Sequence, residues 1–126
     1  MGSWDEQPWD NDHAADWFGD TFDATKLAVR VEETLALDVA DHHQEIRAAA
    51  SLLIFLGRVY VWPINDLDRH LELAASKLEE MAAQPDADEI LPVAAVRAEA
   101  ALLRARLKKG PTDRDAALDA TWVALR

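Results

Sequence analysis

From residue 24 onward, apolar side chains recur every three or four positions, which is the spacing of one face of an α-helix. Two of these series are continuous over several turns: Leu67, Leu71, Ala74, Leu78 and Met81, and then Val93, Val96, Ala100, Leu103 and Leu107. Alanine supplies 24 of the 126 residues and glycine only four, a composition that favours helices. No stretch alternates convincingly between apolar and polar residues. The sequence therefore predicts an all-α protein.

The capping and breaking residues predict where most helices begin and end. We expect a helix over 24–37 with Asp23 as its N-cap, and a central, buried helix over 41–60 that Pro63 ends. Asn65 or Asp66 is expected to cap the next helix. The turns between these helices are short, so the fold class is an antiparallel bundle of four to five main helices.

The remaining boundaries lie nearer the C-terminus. Residues 84–86 form a predicted turn, and Pro92 lies in the first turn of the following helix. Gly110 and Pro111 end that helix, and Thr112 caps a last short one. There is no internal repeat and no linker, so residues 1–126 are predicted to form a single domain.

The N-terminal segment, residues 1–23, carries seven acids and no Lys or Arg. It also holds Trp4, Trp9 and Trp17, three of the five tryptophans. Because tryptophan offers a large contact area, we expect an ordered segment whose rings pack on the 24–126 bundle. Asp10, Asn11 or Asp12 can cap a short helix over 13–22.

Three short motifs in this segment resemble the opening of a known bacterial family. They are the Met-Gly-Ser-Trp run at 1–4, the Trp-Asp-Asn-Asp run at 9–12 and the Ala-Asp-Trp run at 15–17. The pattern is similar to that of the Domain of Unknown Function 4259 family, and the resemblance implies no activity and no catalytic residue. The candidate interaction or structural residues of the motif are Trp4, Trp9, Asn11, Asp12, Asp16 and Trp17.

The net charge of −11 and the isoelectric point near 4.6 exclude an unassisted nucleic-acid partner, because neutralising phosphates needs clustered cations. Cations do collect near the C-terminus, and the predicted basic patch consists of Arg97, Arg104, Arg106, Lys108 and Lys109. We expect the acidic segment 1–23 to lie against this patch, within one chain or across a homodimer.

Candidates for catalysis or metal binding are few. Cysteine is absent, and no nucleophile motif or glycine-rich phosphate loop occurs. A metal site would have to combine His42 and Glu45 with His70, but the Glu-x-x-His spacing of bundle metal sites is missing. Histidines in solvent or at helix caps are the preferred interpretation, and no cofactor is predicted.

Targeting signals are also absent: the N-terminus is acidic, and the longest apolar run is shorter than a membrane span. We expect a cytoplasmic protein with no membrane partner. The leading hypothesis is a non-enzymatic protein-interaction module, for example a toxin-neutralising immunity protein. The alternative is a metal-dependent or small-ligand-binding helical bundle, the ligand contacting the tryptophan cluster.

Overall fold

The computed structural model describes residue 8 and residues 11–107, and its helices confirm the all-α prediction. Within that part of the chain there are six helices and no strand. They are α1 Asp12–Thr25, α2 Leu27–Leu35, α3 Val39–Leu56, α4 Ile64–Ala82, α5 Ala87–Ile90 and α6 Val93–Leu107. The predicted final helix after Gly110-Pro111 and Thr112 lies outside the described residues.

The break between α1 and α2 comes later than the sequence predicted. Asn11 is the N-cap of α1, and its Oδ1 accepts a hydrogen bond from the backbone N–H of Ala14 at 2.7 Å. Asp23, predicted to cap the second helix, lies inside α1. The chain turns instead at Lys26, whose left-handed backbone (φ 56°, ψ 33°) ends one helix and starts the next.

Helix α3 ends at Leu56 and not at residue 60, so the prediction that Pro63 ends it is wrong. The backbone N–H of Gly57 still donates to the Leu53 carbonyl at 2.9 Å, but a Cβ at Gly57 would lie 2.4 Å from that oxygen. Residues 57–63 form a loop, called here the strap, in which Tyr60 has a positive φ of 75°. The apolar run at 59–62 therefore serves the strap and not a helix.

Helix α4, and not α3, occupies the centre of the bundle. It contacts α2, α3, α5 and α6. Asn65 and Asp66 lie within its first turn, so neither is the predicted cap, and Pro63 stands in the cap position. The predicted apolar series is confirmed, since all five of its members are buried: Leu67, Leu71, Ala74, Leu78 and Met81.

Helix α6 packs mainly against α4. Val96, Ala100 and Leu103 of its predicted series are buried, and Val93 and Leu107 lie against the core. The predicted turn at 84–86 is present, with the backbone N–H of Ala87 donating to the Gln84 carbonyl. It leads into the short helix α5, which the sequence did not predict.

Candidate protein-binding surface

A groove of about 470 Å³ lies between α1 and the strap and is the candidate functional site. One wall comes from α1, and the other comes from the strap and the start of α4. The lining residues of this α1–strap groove are Ala15, Asp16, Gly19, Phe22, Asp23, Val59, Tyr60, Val61, Trp62, Pro63 and Ile64. Its surface is thus largely apolar, with carboxylates on the α1 side only.

The carboxylates of α1 form one exposed stripe beside the groove. Asp12, Asp16, Asp20 and Asp23 are all exposed, and at about 100° per residue they fall within about 80° of the helix circumference. We call this set the acidic stripe. None of the four forms a salt bridge with another residue in the described part of the chain. The stripe therefore presents negative charge to whatever approaches α1.

Large apolar side chains flank the acidic stripe and the groove. Tyr60 is 57% exposed and Ile64 is 61% exposed, both on the rim that the strap and α4 provide. The left-handed backbone of Tyr60 costs about 1–2 kcal/mol in a non-glycine residue. Strain of this kind is concentrated at functional sites in proteins.

Trp17 does not pack on the bundle as the sequence predicted. Its side chain is 62% exposed, and its ring makes an edge contact with Phe18 of the same helix, at 5.3 Å between centroids. The buried residue of α1 is Phe22, which packs edge-on against Trp62, and Phe18 packs partly buried against the core. Trp4 and Trp9 lie outside the described residues.

His70 is buried and not solvated, contrary to the prediction for the histidines. The indole Nε1–H of Trp62 donates to His70 Nδ1 at 3.0 Å, so that nitrogen is an acceptor. The proton is therefore on Nε2, which donates to Glu32 Oε1 at 2.7 Å. The network joins α2, α4 and the strap, and it leaves His70 without a nitrogen for a substrate.

Glu32 completes this network at the surface. Hydrogen bonds from His70 and then from Arg69 lower the pKa of the Glu32 carboxyl below its ordinary value. Arg69 also donates to Asp66 at 2.7 Å. The group ties α2 to the first turns of α4, beneath the strap that forms one wall of the groove.

The metal candidates do not come together as one site. His70 uses both ring nitrogens as described above, while His42 Nδ1 bonds Glu45 Oε2 at 3.0 Å on the exposed side of α3. Within residues 11–107 there is no group of three or more histidine, aspartate or glutamate side chains placed to hold a metal ion. The Glu45 hydrogen bond with His42 lowers the pKa of that carboxyl.

The predicted basic patch is not a continuous surface. Arg106 is fully buried, and its guanidinium donates to the carbonyls of Leu53 and Ile54 at 2.8 Å each. Arg104 pairs with carboxylates of α4 and with none of the described residues of the N-terminal segment. Arg97 is exposed, and Lys108 and Lys109 lie outside the described residues.

Arg104 instead fastens α6 to α4. Its guanidinium bonds Glu79 Oε1 at 2.8 Å, Ser76 Oγ at 3.0 Å and the carboxylate of Glu72. These hydrogen bonds lower the pKa of both carboxyls and raise that of Arg104. The acids that neutralise this cation are thus on a neighbouring helix, and the acidic stripe is left without it.

A second groove, of about 660 Å³, lies between α3 and α6. Phe55 and Ile90 are exposed on its rim, and the ion pair of Arg47 with Glu99 (2.7 Å) crosses it. His43 also lines this α3–α6 groove, and its buried Nδ1 has no hydrogen-bond partner among the described residues.

Sequence reasoning missed Phe22 and Trp62, which shape the α1–strap groove, and it considered His70 only as a metal ligand or as a solvated or capping histidine. Phe22, Trp62 and His70 meet in the core, and only Trp62 lies in an apolar run that could have drawn attention. A possible signal was the proline after Trp62, which separates the strap from α4. Trp62 and His70 are eight residues apart in the chain, and the spacing of contacts within a helix does not predict that they meet.

Comparison of the chain with protein-family models, with curated proteins and with solved structures found no match. A search of the described residues for membrane spans found no helix that is both long and apolar enough to cross a bilayer.

Proposed function

We propose that this chain is a cytoplasmic, non-enzymatic protein-interaction module that binds a basic protein partner on α1. The observation that supports this most is the acidic stripe, four exposed carboxylates on one side of α1 without a salt bridge among the described residues. Complementary charge steers association and suppresses wrong partners. A more specific form is an immunity protein that covers the basic site of a toxin, and the resemblance of residues 1–17 to the Domain of Unknown Function 4259 family belongs to the same proposal.

The apolar surroundings of the stripe support a protein partner in preference to a small cation. Trp17, Tyr60 and Ile64 are each more than half exposed around it. Aromatic side chains are the usual anchors of protein interfaces, because they bury much area at a low entropic cost. A surface with both features favours a partner that carries basic and apolar side chains together.

The experiment compares capture by three forms of the protein from an extract of its source organism. The first is the wild type, and the second neutralises the stripe with D12N, D16N, D20N and D23N. The third is a matched control with the same charge change at exposed acids on other helices: E33Q, E80Q, D88N and E89Q. All three must give the same far-ultraviolet dichroism before they are compared.

We expect the wild type and the matched control to capture a basic protein at low salt. The stripe variant should not retain that protein. The affinity of this protein for the wild type should fall as ionic strength rises, because the Debye screening length shortens to about 3 Å at 1 M salt. Retention by the stripe variant, or equal loss from both variants, would contradict the proposal.

The α3–α6 groove supports a second candidate function, the binding of a small apolar ligand. The specific observation is the unpartnered Nδ1 of His43 in an apolar groove of ligand size. A ligand with one hydrogen-bonding group and an apolar body would satisfy it. The test is the thermal stabilisation of the wild type by such compounds, which the variant His43→Phe should lose while the ion pair of Arg47 with Glu99 is retained.

A further inference from the structure

We infer that the α1–strap groove recognises a partner segment with two cationic side chains about 10 Å apart and an apolar side chain between them. This inference rests on the proposed function and adds the pattern that the partner must present. It comes from the positions of the groove's own residues along α1. The occupant is a basic segment of a partner protein.

The spacing follows from the two carboxylates that line the groove. Asp16 and Asp23 are seven residues apart on one helix, which at 1.5 Å per residue places them about 10 Å apart along its axis. One guanidinium or ammonium group cannot contact both. Contact with both carboxylates therefore requires two cations. On a partner helix, side chains at positions i and i+7 have the same separation.

Gly19 lies midway between these carboxylates and keeps the groove open. A Cβ built there has no atom within 4 Å, so the space above it is free. Across the groove stand the apolar side chains of Val61 and Ile64. An apolar side chain of the partner, at i+3 or i+4 on a helix, would lie in this space and bury its surface against them.

The stripe carboxylates that lie outside the groove have a different role. Asp12 and Asp20 belong to the acidic stripe but do not line the groove. Their charges attract any basic partner at long range, whereas Asp16, Gly19 and Asp23 select the register. Attraction and selection can therefore be measured separately.

The experiment uses the full-length chain and three synthetic alanine-based helical peptides, of which the first two have identical composition. The first peptide carries arginine at i and i+7 with leucine at i+3 and i+4. The second moves one arginine to i+5, which turns it to another side of the helix. A third peptide replaces both arginines of the first with citrulline, which has nearly the same shape but no charge. Binding is measured by titration with amide chemical shifts as the readout.

We expect the first peptide to bind about two- to fivefold more tightly than the second, which loses one ion pair, and about four- to twenty-fivefold more tightly than the third, which loses both. Amide shifts are expected at Gly19, Val61 and Ile64. Gly19→Leu fills the groove without a change of charge and should lower the affinity at least tenfold. Because its side chain enters free space on a helix, folding should be unaffected. Asp16→Asn and Asp23→Asn should each weaken binding about two- to fivefold, as expected for exposed ion pairs.

Ala95→Leu is the matched control, since Ala95 is an exposed small residue on α6, and it should bind like the wild type. Equal binding of the two arginine peptides, or full affinity in Gly19→Leu, would overturn the inference. Neither result would affect the capture experiment on the acidic stripe, so a failure of this inference can be distinguished from a failure of the proposed function. An absence of binding by the first peptide would also overturn the inference.

Discussion

At the scale of single residues, Arg106 shows that a charged side chain can be buried and can stabilise the interior of the fold. Arg106 looks like a surface cation in the sequence, but its guanidinium takes up two of the last carbonyls of α3, those of Leu53 and Ile54. The final carbonyls of a helix have no partner within it and carry partial negative charge. Arg106 therefore closes α3 from a neighbouring helix.

We predict that Arg106→Leu lowers the free energy of unfolding by about 1–3 kcal/mol, because the Ile54 carbonyl loses its donor and the Leu53 carbonyl keeps only the Gly57 N–H. Chemical denaturation measures the loss. Arg97→Leu removes an exposed cation from the same helix and should change stability by at most about 0.5 kcal/mol. Equal effects of the two substitutions would show that Arg106 does not cap α3.

The Glu32 carboxylate supplies a second prediction at this scale, on pH. Its pKa is lower in the folded chain than its ordinary value of about 4.5, because His70 and Arg69 donate hydrogen bonds to it. The stabilisation is therefore present above that value and is lost as the pH falls through the folded pKa.

Glu32→Gln should lower stability at pH 7 by about 1 kcal/mol, a modest value because solvent screens this partly exposed group. The variant should also lose less stability than the wild type between pH 6 and about 3, measured by denaturation at each pH. Glu33→Gln, at the exposed neighbouring position, should follow the wild-type profile. A Glu32→Gln profile parallel to the wild type would contradict the assignment.

At the scale of elements, the join of α1 and α2 shows how one backbone conformation divides an otherwise helical stretch. Lys26 is exposed and left-handed, and its N–H donates to the Phe22 carbonyl at 2.9 Å as in a helix C-terminus. The turn directs α2 so that Val31 and Leu35 are buried while α1 remains along the groove.

We predict that Lys26→Gly raises the free energy of unfolding by about 0.5–1 kcal/mol. Glycine adopts positive φ without the penalty that a lysine pays, which exceeds its greater entropic cost. Thermal unfolding measures the change. Arg30→Gly, on an exposed helical position of α2, should instead destabilise by about 1 kcal/mol. Destabilisation by Lys26→Gly would show that the side chain matters more than the backbone there.

At the scale of the whole molecule, charge is neutralised unevenly. The cations Arg47, Arg69 and Arg104 pair with carboxylates within the bundle, whereas the acidic stripe of α1 has no ion pair with a cation in residues 11–107. A chain with a net charge of −11 repels itself, and the repulsion is greatest where acids lie close together.

We therefore predict that the melting temperature rises when ionic strength is raised from about 0.01 M to about 0.15 M, as the Debye length falls from about 30 Å to about 8 Å. The variant with D12N, D16N, D20N and D23N should show a smaller rise than the matched control with E33Q, E80Q, D88N and E89Q. The same rise in both variants would mean that only total charge matters.

Periodicity alone was enough to predict the all-α fold and the apolar series of α4 and α6, and capping chemistry placed the start of α1 at one of three residues, Asp10, Asn11 or Asp12. These features depend on residues within a few positions of one another, and the helical repeat relates them directly. The placement of Asp16 and Gly19 on one helix could likewise be predicted, since both residues lie in the predicted helix over 13–22 and in α1.

Only the tertiary structure decided the features that depend on distant partners. Residues 59–62 are β-formers by composition that we predicted to continue a helix, but Trp62 bonds His70 across the core and the chain forms a strap. The sequence does not show whether Arg106 lies in a surface patch or caps a helix. The carbonyls that accept its hydrogen bonds belong to a helix about fifty residues earlier in the chain. The α1–strap groove exists because those long-range contacts hold the strap opposite α1, a relation that no local spacing encodes.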